Sequence, residues 1–208
     1  MTKYVSRGGD KLAGACEIFK FDIQDKVALD VGVSTGGFMD FLLKNGARCV
    51  MGIDVGYGDV DYQLRIDPRV VLFERTNARL VTRDMLLTHR GWKGKALKEN
   101  AAELLSDISL VVMDVSFISI LTVLPAILPL ISPGAELVLL VKPQFEAKRE
   151  DVGPGGIIRD PAIHESILER IDTKVRDMGL TILGQCDSPI LGTKGNKEFF
   201  LYLKKGPC

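Results

Sequence analysis

The chain has 208 residues, enough to bury a sizeable core and suited to one domain. With 46% hydrophobic and 26% charged residues it has an ordinary globular composition, which excludes a disordered or fibrous chain. The 27 basic and 27 acidic residues balance, so no overall field advertises a nucleic-acid partner.

The first predicted element is a helix over 8–20, where Leu12, Ala15, Cys16 and Phe19 recur at helical spacing. The N-terminal segment 1–25 is therefore expected to pack its apolar face on the domain that spans 1–208. Apolar, β-branched runs at 27–31, 49–53, 70–73, 110–113 and 137–141 read as buried strands. Between them 38–45 and 120–131 read as helices, with Gly46 placed to stop the first. A long helix is predicted over 162–178, closed by Gly179, and strands at 180–186 and 198–203 follow across a turn-rich stretch. Segments 88–100, with the only Trp, and 146–160, with Gly153-Pro-Gly-Gly156, read as loops. The βαβα rhythm implies an α/β fold of Rossmann-like type: a mostly parallel seven-stranded sheet, helices on both faces, and an antiparallel pair added at the end.

The segment from Val27 to Asp54 carries the first chemical signal. A strand reaches Asp30, the turn Gly32-Val-Ser-Thr-Gly-Gly37 follows, and a helix opens at Phe38. Glycines let backbone approach a ligand closely, and a helix N-terminus offers free N–H groups. The pattern is a poor dinucleotide fingerprint, and Asp30 would repel a diphosphate. It suits a cationic amino-acid group, and S-adenosylmethionine carries both an ammonium and a sulfonium. Asp30, Gly32, Ser34, Thr35, Gly36, Gly37 and Phe38 are the candidate cradle, with Asp54 at the next strand end placed for ribose hydroxyls. Asn77 and Asp114 fall at further strand ends. The competing reading is a tight strand–helix turn with no ligand.

Asp114 follows an apolar strand and Lys142 follows the next one. Either alone could be a hydrated rim residue. Together, beside a methyl donor, they suggest a chemical pair.

Six motifs carry a resemblance that covers nearly the whole chain. They are Tyr4-Val-Ser-Arg-Gly-Gly9, Asp54-Val-Gly-Tyr-Gly58, Glu74-Arg-Thr-Asn77, Asp114-Val-Ser-Phe117, Val141-Lys-Pro-Gln-Phe-Glu146 and Gly195-Asn-Lys-Glu198. The chain resembles the hemolysin A/TlyA family of FtsJ-like (RrmJ-like) 2′-O-ribose RNA methyltransferases. The resemblance implies a Lys-Asp-Lys-Glu tetrad, which falls on Lys11, Asp114, Lys142 and Glu198, and it adds Val55 and Glu74 to the cofactor set. It further implies ribosomal RNA or ribosomal subunits as partner and a cytidine ribose as acceptor. A ribose 2′-hydroxyl must lose its proton as it attacks the methyl group. Lys142 is expected to serve as general base, which requires some neutral amine near pH 7, with Lys11 steadying the developing alkoxide. Relatives usually begin with an S4-type RNA-binding domain, which this sequence lacks. A hemolysin or cytotoxin role is the rival class, and a methyltransferase acting on something other than RNA is a second alternative.

The remaining signals are weaker. From Arg65 to Lys98 nine basic residues face three acidic ones. Arg90, Lys93, Lys95 and Lys98 around Trp92 could contact phosphates and stack on a base, although a solvated insertion is the favoured reading. Residues 143–146 and 153–159 are expected to form the substrate-side rim, and Arg159 with Asp160 reads equally as an ion pair or an RNA contact. His89 and His164 have no partner at useful spacing for a hydrolase or metal site. Cys16, Cys49, Cys186 and Cys208 are scattered, against a zinc site or disulfide framework and in keeping with a reducing compartment. The apolar stretch 108–130 is interrupted by Asp114, Pro125 and Pro129. A cytoplasmic chain with no metal and no membrane partner is expected, its oligomeric state open.

Overall fold

The computed structural model describes residues 2–192 and 194–207. Its elements run α1 (Arg7–Phe19), β1 (Val27–Val31), α2 (Gly37–Lys44), β2 (Cys49–Ile53), α3 (Tyr62–Ile66), β3 (Val70–Phe73), α4 (Arg83–Thr88), α5 (Gly94–Glu99) and α6 (Ala101–Ser106). Then come β4 (Ile108–Met113), α7 (Ile120–Ile127), β5 (Glu136–Val141), α8 (Pro143–Glu146), α9 (Pro161–Asp177), β6 (Leu180–Asp187) and β7 (Phe199–Lys205). The seven strands form one sheet in the order β3-β2-β1-β4-β5-β7-β6. The first five are parallel, and β7 runs antiparallel to both β5 and β6.

Alternation along the strands feeds two cores. Val27, Leu29 and Val31 of β1 pack with α7 and α9 on one face, while Ala28 packs with α1 and α2 on the other. Every residue of β1 and β2 is buried, which is why those runs show no polar alternation. The chain leaves β1 in one direction toward β2 and β3, and β4 lies on its other side. The crevice for a ligand in such a sheet opens at this switch point, beyond the carboxyl ends of the strands.

Two glycines shape that crevice. Gly32 has φ +89°, and a Cβ there would stand 2.6 Å from the Asp114 carbonyl oxygen. Gly37 lies where α1 crosses α2, and a Cβ there would sit 2.8 Å from the Gly9 amide nitrogen and collide with the Ser6 hydroxyl. Bare backbone at Gly37 therefore lets the N-terminus of α1 sit on that of α2, as the packing of 1–25 on the domain requires.

Several expectations change. The helix expected over 120–131 ends at Ile127 and tightens into a 3-10 turn, Leu128–Leu130, at Pro129. Segment 88–100 is not a loop, since it contains α5. Trp92 is buried and its Nε1 donates to the Leu86 carbonyl at 2.7 Å, with its ring edge-on to Phe73. It is a core residue and cannot stack on a base. Arg159 and Asp160 form no ion pair among the described residues, and the Asp160 carboxylate caps α9 by accepting from the Ala162 amide. β7 starts one residue later than expected and runs on to Lys205.

Candidate active site

Strand register assembles the site. Asp114 follows the last residue of β4 and its amide donates to the Val31 carbonyl, so it stands level with Gly32. Val141 of β5 pairs with Phe199 of β7, so Lys142 and Glu198 emerge side by side from antiparallel neighbours. Lys11 reaches the same place from α1. The Lys11 Nζ lies 2.5 Å from Glu198 Oε2, and the Lys142 Nζ lies 2.6 Å from Asp114 Oδ1. The Lys142 contact is an ion pair without hydrogen-bond alignment, since Asp114 Oδ1 is buried without a hydrogen-bond partner. Lys142 instead donates to Ser116 Oγ at 2.8 Å. All four ionisable side chains line one cavity of about 300 Å³, walled on the other side by Gly32–Thr35 and Gly37.

That cavity adjoins two others. One, of about 450 Å³, runs from Gly32 and Ser34 past Asp54 and Val55 to Asn77, and it also reaches Asp114. Its apolar wall includes Ile53, Ala78, Val115 and Val123. The size and mixed lining suit a small molecule with an apolar ring and a few polar handles. Asp54 is already oriented, its oxygens accepting from the Ser34 and Gly56 amides at 2.7 Å each. The second neighbour, about 350 Å³, is lined by Lys142, Glu198, Phe117, Phe145 and Lys194. Phe117 is 90% exposed with a left-handed backbone (φ +63°), and its ring centre is 5.0 Å from that of Phe145. Ser116 lines all three cavities. Ser116 and Phe117 lie in the motif 114–117, but sequence alone assigns neither a role at the site. A serine beside a charged strand end carries no signal, and an exposed phenylalanine becomes notable only when its exposure is known.

Three predicted cofactor residues do not reach a cavity wall. Asp30 is fully buried, on the face toward α1 and α2, and neither of its carboxylate oxygens has a hydrogen-bond partner. Burial first, and then the nearby Asp114 charge, raises its pKa well above the usual carboxylate range. The Met39 amide lies close enough to ease the charge without hydrogen-bond geometry. Gly36 shapes the turn from behind, at φ +98°. Glu74 is captured elsewhere, accepting from both terminal nitrogens of Arg65 at 2.9 and 2.6 Å and from the Gly58 amide at 2.7 Å. The Arg65 bonds, more than any other influence, hold its pKa down at about 2. Its role is to brace the 54–58 turn, which is a correction to its place in the cofactor set.

Residues 4–205 match the FtsJ-like methyltransferase family. The chain belongs to that family. It is 42% identical over 201 residues to the 16S/23S rRNA (cytidine-2′-O)-methyltransferase TlyA of Mycobacterium tuberculosis, covering 97% of this chain and 68% of that one. It is 41% identical over 200 residues to Hemolysin A of Brachyspira hyodysenteriae, covering 96% of this chain and 76% of that one. The crystal structure of a candidate hemolysin from Lactococcus lactis superposes with a TM-score of 0.86 at 38% identity, covering 100% of this chain and 91% of that one. The seven-stranded sheet is thus the Rossmann-like sheet of an FtsJ-like methyltransferase, as its order and the antiparallel β7 require. Among the described residues no helix is long and apolar enough to cross a membrane, and no group of three or more His, Cys, Asp or Glu is placed to hold a metal ion.

Proposed function

We propose that this enzyme methylates a ribose 2′-hydroxyl of ribosomal RNA, at a cytidine, using S-adenosylmethionine. One observation carries the reading: Lys11, Asp114, Lys142 and Glu198 form two ion pairs on a single cavity that adjoins both a cofactor-sized cleft and an aromatic-rimmed one.

The residues present fit the cofactor. Asp114, whose Oδ1 has an ion pair with Lys142 but no hydrogen bond, suits a ligand ammonium, Asp54 suits ribose hydroxyls, and Val55 and Asn77 suit the adenine end. When bound, S-adenosylmethionine supplies an electrophilic methyl group on a sulfonium. The chain supplies the rest. Lys142, once its ammonium has given a proton to solvent, accepts the 2′-hydroxyl proton at Nζ and later releases that too, while Ser116 Oγ fixes the direction of the nitrogen. Lys11, held by Glu198, places a positive charge where the alkoxide develops. Phe117 and Phe145 offer the acceptor base a stacking surface, and Lys194 a phosphate contact.

The relatives carry two kinds of name, methyltransferase and hemolysin. A proton-handling tetrad beside a cofactor cleft is what methyl transfer to a weakly acidic hydroxyl needs, and lysis has no use for it. The deciding experiment is transfer of labelled methyl groups from S-adenosylmethionine to unmethylated ribosomal subunits, followed by mapping of the modified nucleotide. A 2′-O-methyl cytidine is the expected product. Cofactor binding without transfer to either subunit would overturn the reading.

A further inference from the structure

One buried carboxylate takes no part in the proton transfer. Glu146, on α8, has a side chain only 1% exposed. Its Oε2 accepts from Ser119 Oγ at 2.6 Å and its Oε1 from the Ile120 amide at 2.8 Å, 27 and 26 residues away in sequence. Both donors belong to the N-terminus of α7, where free amides favour an anion. From the opposite side Arg170 of α9 donates to the Glu146 carbonyl at 2.5 Å, and its guanidinium lies 3.9 Å from Oε2.

The position of these bonds matters more than their number. Residues 114–119 leave β4 carrying Asp114, Ser116 and Phe117. Residues 142–146 leave β5 carrying Lys142 and Phe145. The two segments meet at Lys142 with Asp114 and Ser116, at Phe117 with Phe145, and at Glu146 with Ser119 and Ile120. Only the last contact lies off all three cavities, and its Ile120 bond is buried. We propose that Glu146 is the positioning residue of this site, its carboxylate clasping the Asp114 segment to the Lys142 segment so that the base and the aromatic rim keep their spacing. The inference rests on the assignment of Lys142 as base.

The test compares Glu146→Ala, Glu146→Gln and Ser119→Ala with the parent, in single-turnover methyl transfer to ribosomal subunits across pH 6–10, each variant first shown folded by thermal melting. Displacing a catalytic group by about 1 Å can cost roughly a hundredfold in rate, and that is the loss expected for Glu146→Ala. Its pH midpoint of turnover should also move, because the contact between Lys142 and Asp114 changes. Glutamine can accept from the Ile120 amide and donate to Ser119, whose hydroxyl rotates to suit, so Glu146→Gln should stay within a few-fold of the parent. Folded Glu146→Ala with parental rate, or with a loss at an unmoved pH midpoint, would overturn the clasp. Should Glu146→Ala fail to fold, Ser119→Ala decides: a several-fold loss with a moved midpoint supports the clasp, and an unmoved midpoint overturns it. Lys142→Met separates the two readings. If it turns over normally, the base assignment falls. If it is inactive while Glu146→Ala works as well as the parent, only the clasp falls.

Discussion

Val141 and Phe199 are partners in the antiparallel β5–β7 ladder, and their pairing is what sets Lys142 beside Glu198. In a purely parallel sheet only residues that follow a strand reach the carboxyl edge. Because β7 runs the other way, a residue that precedes a strand reaches it too. Glu198 is thereby delivered from the far end of the chain, 187 residues beyond its partner Lys11. A slip of one residue would send its side chain to the opposite face, so the buried, fully apolar start of β7 also protects the site's register.

Lys142 lines the tetrad cavity but not the cleft that runs past Asp54 and Asn77. Lys142→Met should therefore leave cofactor affinity within a few-fold of the parent by calorimetry. Loss of a general base typically removes about 10²–10⁴-fold of rate, and methyl transfer should fall by that much. Lys142→Arg should be equally inactive, because a guanidinium stays protonated at any working pH.

Lys11 and Glu198 form an ion pair with side chains only 10% and 3% exposed. Removing one partner strands the other charge in the interior, which costs about 3–5 kcal/mol. Lys11→Met or Glu198→Leu alone should lose stability of that order in urea denaturation. The double variant should regain most of it, since an apolar pair leaves no orphaned charge. All three should be defective in transfer. A double variant as unstable as the singles would mean that the pair's shape, and not its charge, holds α1 in place.

The strands and the glycine turn were legible in sequence because they obey local rules: buried apolar runs bounded by turns, and backbone that must come close to a neighbour. Asp114 and Lys142 were legible for a related reason, as charges stationed where apolar strands end. Lys11 and Glu198 carry no such local mark, and only likeness to a family paired them. What could not be read were the residues whose meaning depends on a partner in another element. Glu74 entered the cofactor set by likeness to a family, yet Arg65, nine residues earlier, holds both its oxygens. Trp92 sits in a basic stretch yet fills a gap against Phe73. Short helices such as α3 and α4 span too few residues for a 3.6-residue period to show.

Asp30 makes a signed prediction about pH. Its folded pKa is raised by burial, so above about pH 4, where a free aspartate titrates, the folded chain holds a proton that the unfolded chain has lost. Its contribution to stability is therefore fullest below that pH and declines as pH rises toward the folded value. Asp30→Asn removes the decline. In the absence of cofactor its melting temperature should exceed the parent's at pH 8, and the gap should close near pH 4. A gap that stays constant with pH would show that the carboxylate is ionised and satisfied in the folded protein. Asp30 reaches none of the three cavities and holds its proton when folded, so cofactor affinity in Asp30→Asn should stay within a few-fold of the parent.

Phe117 joins strain to exposure, which is the signature of a residue held for use. A left-handed backbone costs a non-glycine residue about 1–2 kcal/mol, and with the ring 90% exposed little burial offsets it. Phe117→Gly relieves that cost, although the freer unfolded chain takes back roughly 0.5–1 kcal/mol. The variant should therefore be as stable as the parent or more so, by up to about 1 kcal/mol in urea denaturation. Its transfer to ribosomal subunits should nonetheless fall. Stacking of a base on an aromatic ring is worth about 1–3 kcal/mol, which is roughly a tenfold to hundredfold loss of RNA affinity. Phe117→Tyr keeps a stacking face and should retain transfer. A glycine variant with undiminished transfer would remove Phe117 from the acceptor side, and the cavity bounded by Phe145 and Lys194 would need another surface to hold the base.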